Sequence, residues 1–119
     1  MASETEIRKS IVGHNARNAE LLQHIRDKGA AVDEPRPIDH HFYASSQKDA
    51  ALLAKELYSR GYLVLVLSPP RKEDNSAYWN LEVGIQRTAI EAASQHITEE
   101  LVRLAAKFNA IYDGWGTLI

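Results

Sequence analysis

Apolar and polar positions alternate most cleanly between Tyr78 and Thr88, where Trp79, Leu81, Val83 and Ile85 fall on one side and Asn80, Glu82, Gly84 and Gln86 on the other. A period of two is the signature of a half-buried strand, and this reading puts Trp79 in the core with its same-face neighbours. Ile38 to Ala44 alternates in the same way, with Ile38, His40 and Phe42 opposing Asp39, His41 and Tyr43. Tyr62 to Leu67 is different: a continuous apolar run of strand formers, too short for an independent helix and stopped by Ser68-Pro69-Pro70. A polar loop, Arg71 to Ser76, follows it.

Helical spacing fills the intervals. Ser46 and Asp49 are placed as a capping box ahead of Ala50, Leu53, Ala54, Leu57 and Tyr58, and Gly61 ends that helix. Thr98 is predicted to cap a last helix with Leu101, Leu104, Ala105 and Phe108 on its buried face, and Ile97 and Val102 have the spacing of a hydrophobic staple. Glu4 to Lys28 also reads as helix, opened by Ser3 and Glu6, striped by Ile7, Ile11, Leu21, Leu22 and Ile25, and stopped at Gly29. Gly13 and the stretch Asn15 to Asn18 weaken its middle, which leaves two helices or a frayed first half open. Val32 to Pro37, with two prolines and two acids, is a linker. It divides the chain into an N-terminal helical segment, residues 1–37, and a domain over residues 38–119.

The order is helix, then β-α-β-β-α, then a short closing strand. It predicts an α+β fold: a ferredoxin-like β-α-β-β-α-β sandwich, its antiparallel sheet carrying helices on one face, preceded by the N-terminal helix. In that topology the Tyr62 to Leu67 strand lies at a sheet edge with both faces apolar. Such edges invite aggregation and are usually covered. The N-terminal helix or a second copy of the chain would have to cover this one, so a homodimer is among the expectations.

Composition narrows the chemistry. The 119 residues suit one domain, and 45% hydrophobic content suffices for one core. With no cysteine there is neither a disulfide framework nor a thiolate metal site. The polar start has no apolar signal core, and no apolar run approaches the ~20 residues of a membrane span, so a cytoplasmic location without membrane contact is expected. Fourteen basic and 16 acidic side chains are mixed along the chain for a net charge of −2, without the basic stripe of nucleic-acid binders. Direct nucleic-acid binding is therefore not expected.

The sequence lacks a Gly-x-Ser-x-Gly elbow and a phosphate-cradling Gly-x-x-x-x-Gly-Lys. Glu99-Glu100 sits at a helix start, where the helix dipole accounts for acids, and Glu73-Asp74 lies in a loop. Asp39, His40 and His41 are the residues a metal-binding or enzymatic reading would use. Adjacent strand residues face opposite sides, however, so one ion could not readily take both rings. His14 and His24 read as surface residues of the N-terminal region. No enzyme, metal or cofactor is expected.

The last informative stretch is Tyr112-Asp113-Gly114-Trp115-Gly116-Thr117. Asp113-Gly114 reads as a tight turn flanked by Tyr112 and Trp115, which would pin the closing strand to the core. Both aromatics are packing residues on that reading; on the other, Tyr112 or Trp115 with Asp113 forms an exposed patch for a protein partner. Together with Lys107-Phe108, this stretch resembles the closing motif of the regulator of ribonuclease activity B family. Asp39-His40-His41 resembles the acid-His-His opening of that family's first strand, Leu57 to Gly61-Tyr62 its helix end, and Glu20-Leu21-Leu22 to Gly29 its N-terminal helix. The family's founding type carries a long acidic tail beyond the closing motif, where this sequence ends at Ile119. The resemblance implies a non-catalytic regulator that binds and inhibits ribonuclease E and so modulates RNA decay. Asp113, Trp115, Tyr112, Glu82, Asp74 and Glu73 are the candidate protein-binding residues. The alternatives are a self-associating domain and the small Asp39, His40, His41 metal or enzyme domain.

Overall fold

Ser3 opens the first helix, its side chain accepting the backbone N–H of Glu6, in a computed structural model of the chain that describes residues 2–73 and 75–119. Helix α1 spans Glu4–Asp27 without interruption. A mid-helix glycine costs ~1 kcal/mol against alanine. Here tertiary contacts offset it: Ile7 and Ile11 pack on one core cluster, while Leu21, Leu22 and Ile25 belong to a second. Gly29, at φ +76°, follows the helix end as expected.

Strand β1 (Arg36–Ala44) starts two residues earlier than its alternation suggested and buries Ile38, His40, Phe42 and Ala44. Helix α2 (Gln47–Ser59) is capped by Ser46 and buries Ala50, Leu53, Ala54 and Leu57, but Tyr58 is exposed rather than in the core. Strand β2 (Leu63–Ser68) and strand β3 (Trp79–Arg87) follow. Leu81 and Val83 are fully covered, whereas Trp79, at the start of β3, is only half-buried, so the alternation held and the depth assigned to its first residue did not.

Two features after β3 differ from expectation. A short helix, α3 (Ala89–Ala92), is opened by a reciprocal capping box between Thr88 and Glu91. Helix α4 (Gln95–Lys107) is capped by Ser94, four residues before the predicted Thr98. Thr98 lies inside the helix, where its hydroxyl donates to the Ser94 carbonyl at 2.8 Å, the back-bond that lets threonine sit in a helix interior. The staple assigned to Ile97 and Val102 falls with that cap.

Strand β4 (Ala110–Gly116) completes an antiparallel four-stranded sheet in the order β2-β3-β1-β4. Asp113-Gly114 is not a turn. Phe42 pairs with Tyr112 and His41 with Gly114, which leaves Asp113 as the extra residue of a β-bulge. The positive φ that suggested a turn is real, +107° at Gly114, and serves the bulge instead.

Helices α2 and α4 cover one sheet face, giving the ferredoxin-like α+β sandwich. Helix α1 packs along α4. Arg103 of α4 holds Glu4 of α1 through both its terminal nitrogens. The main core joins Phe42, Leu53, Leu57, Leu81, Val83, Leu101 and Tyr112. A second cluster of Ile25, Ile38, Ala89, Ala92 and Trp115 ties α1 and α3 to the sheet. Among the described residues no helix is long and apolar enough to cross a membrane.

Candidate functional site

The closing motif points inward. Tyr112 and Trp115 are both buried, and the bulge between them lets residues three apart face the same side of the sheet. The Tyr112 hydroxyl lies 2.8 Å from His40 Nδ1, and its ring packs against those of His14, His40 and Phe42. Burial raises the Tyr112 hydroxyl well above the usual phenol range, so it stays a neutral hydrogen-bonding group. Burial also pushes His40 down to about 3, with the charges of Arg87 and His41 acting in the same direction. His40 is thus a neutral core residue, and its Nε2 has no hydrogen-bond partner among the described residues.

His14, expected at the surface, is buried. Its Nε2–H donates to the Tyr112 carbonyl at 2.9 Å, which leaves Nδ1 to accept from Arg17 at 3.2 Å. That tautomer is neutral, in keeping with a pKa lowered first by burial and then by the Arg17 charge. One turn on, Asn18 Oδ1 accepts the Trp115 indole N–H at 2.9 Å while its amide donates to Thr98 at 3.0 Å. Trp115, Asn18 and Thr98 therefore link β4, α1 and α4 in one buried chain of hydrogen bonds.

From the sequence, His14 reads as a surface residue and Asn18 only as part of a stretch that weakens the helix. A signal did exist: positions 7, 11, 14, 18, 21 and 25 share one helical face. Two of them are polar, so they read as gaps in an apolar stripe rather than as buried donors and acceptors.

The candidate binding residues are distributed over separate places. Asp113 is exposed at the bulge and borders a shallow groove of about 210 Å³ with His14, Arg17 and Leu21 of α1. Glu82 lies on the sheet face opposite the helices, 3.4 Å from His41 Nδ1. That uncovered face carries a cleft of about 540 Å³ lined by His41, Tyr43, Val66, Arg71, Tyr78 and Glu82. Tyr43 and Tyr78 stand 6.4 Å apart across it. Glu73 is exposed in the loop between β2 and β3, and Asp74 lies outside the described residues. His40 and His41 face opposite sides, one in the core and one on the open face. Among the described residues no three His, Cys, Asp or Glu side chains gather as a metal site.

The family model for regulator of ribonuclease activity B matches residues 15–117, from the middle of α1 through the closing motif. The chain belongs to this family. A regulator of ribonuclease activity B from Psychromonas ingrahamii is 26% identical over 117 residues, covering 98% of this chain and 97% of that protein. One from Shewanella denitrificans is 26% identical over 102 residues, covering 86% and 79% of the two chains. Another, from Pantoea ananatis, is 25% identical over 97 residues and covers 82% and 69%. For the family member described here, the matched span holds both the buried Asn18–Trp115 link and the open sheet face.

Proposed function

We propose that this chain is a non-catalytic regulator that binds ribonuclease E or a closely related ribonuclease and inhibits it, slowing RNA decay in the cytoplasm. Family membership across residues 15–117 carries this reading. The uncovered sheet face supplies a place for it: a cleft mixing tyrosines, an arginine and the Glu82–His41 pair has the aromatic and polar character of a docking surface. Inhibition by docking needs no chemistry from the regulator, only a complementary surface that occludes or remodels the enzyme. Glu82 in the cleft and Glu73 in the exposed loop after β2 are suited to basic segments of an RNA-degrading enzyme, with Asp113 as a separate acidic contact at the bulge. Tyr112 and Trp115 support that surface from within the core. No direct RNA contact and no cofactor enter this reading.

Purified chain titrated into a ribonuclease E cleavage reaction tests the proposal, with binding followed in parallel by calorimetry. Saturable inhibition is expected, and Tyr78→Ala should weaken binding by about 2 kcal/mol if the cleft is the docking site. Absence of binding, or RNA cleavage by the chain alone, would rule the reading out.

A further inference from the structure

The two sheet edges are treated differently by the fold. At β4 the edge is broken by the Asp113 bulge, and His14 of α1 is bonded to the Tyr112 carbonyl. At β2 the six residues Leu63–Ser68 include neither a charge nor a proline, the usual guards of an edge strand. Leu63, Val64, Leu65, Val66 and Leu67 are 39–62% exposed, on both faces of the strand. Helix α1 does not cover them, since it packs on α4. β2 has a one-residue bulge at Leu65, whose side chain lies over Gly84, but this bends the strand without placing a polar group on the free side.

We infer that β2 is a self-association edge, which pairs antiparallel with β2 of a second copy about a two-fold axis near Leu65. An occupant of this edge must be extended, uncharged and apolar on both faces, and β2 itself meets that description. Antiparallel pairing centred on Leu65 sets Leu63 against Leu67 and Val64 against Val66, so every cross-strand neighbour is apolar and no like charges meet. An isologous contact of this kind closes at two copies and leaves no growing edge. Stable interfaces bury roughly 800 Å² per partner, more than one six-residue strand provides. Helix α2, which packs on β2 and exposes Tyr58, adds to the contact beside the strand.

Light scattering across micromolar concentrations reads the outcome directly. The wild-type chain should approach twice its 13.3 kDa mass. Leu63→Lys, and separately Leu65→Lys, should weaken association at least tenfold while circular dichroism shows a folded protein. Because the chain has no cysteine, Leu65→Cys introduces a single thiol beside the axis. Mild oxidation should link it into a disulfide dimer far faster than Val12→Cys, an exposed position on α1. A monomer at every concentration, with equal cross-linking of the two cysteine variants, overturns the inference. So does a dimer that survives both lysine substitutions. Protection of β2 amides from hydrogen exchange only on adding a ribonuclease would assign the edge to that partner and equally refute self-pairing.

Discussion

Replacing Trp115 with alanine removes a buried indole that is only 8% exposed and joins the second core cluster to α1. Truncating a deep aromatic costs ~3–5 kcal/mol through lost burial and the cavity left behind. The same change strands Asn18 Oδ1, whose donor is the indole N–H, and an orphaned buried acceptor adds ~1–3 kcal/mol. About 4–8 kcal/mol in all is expected, a large part of the ~5–15 kcal/mol available to a domain. At roughly 3–6 °C per kcal/mol for a chain of this size, the melting temperature should fall by more than ~12 °C. Urea unfolding followed by fluorescence of the remaining Trp79 measures the loss. Trp115→Phe separates the two contributions, because it retains a ring but no donor, and should cost about 1–3 kcal/mol. A double-mutant cycle of Trp115→Phe with Asn18→Ala should then give a coupling of at least ~0.5 kcal/mol. The opposite pattern would refute the reasoning: Trp115→Ala leaving unfolding within ~1 kcal/mol of wild type while ribonuclease binding weakens by ~2 kcal/mol or more. Trp115 would then be a docking residue.

Two further perturbations follow from the same buried surroundings. His40 is depressed from 6.5 to about 3 in the fold, so the unfolded chain binds more protons below pH 6.5; its contribution is complete above that pH and is lost as pH falls toward 3. The loss is about 2 kcal/mol at pH 5, His14 acts in the same direction, and His40→Phe should flatten the acid limb of a stability-against-pH curve; an unchanged limb would contradict the assignment. Gly114→Ala forces a side chain onto a backbone at φ +107°, and about 1–3 kcal/mol of destabilisation is expected from thermal melts; a neutral result would show that the bulge relaxes freely.

Much of the architecture was legible locally. The alternation in β1 and β3, the caps at Ser3 and Ser46, and the stops at Gly29 and Gly61 depend on near neighbours, so residue order alone identified these elements and with them the ferredoxin-like class. The apolar run at Leu63–Leu67 likewise announced an edge that needs a cover. What it could not reveal is which surface α1 takes. That choice rests on contacts between residues about 80 to 100 positions apart: His14 with Tyr112, and Asn18 with Thr98 and Trp115. Those partners turn two polar interruptions of a helix into buried anchors, carry α1 across its weak middle and leave β2 uncovered. Ser94 and Thr98 are both of residue types that cap helices, and the tertiary bond to Asn18 accompanies Thr98 inside the helix rather than at its start. Asp113-Gly114 announced a positive φ correctly, but turn and bulge share that requirement. Only pairing with His41 of β1 selects the bulge, which points both Tyr112 and Trp115 into the core.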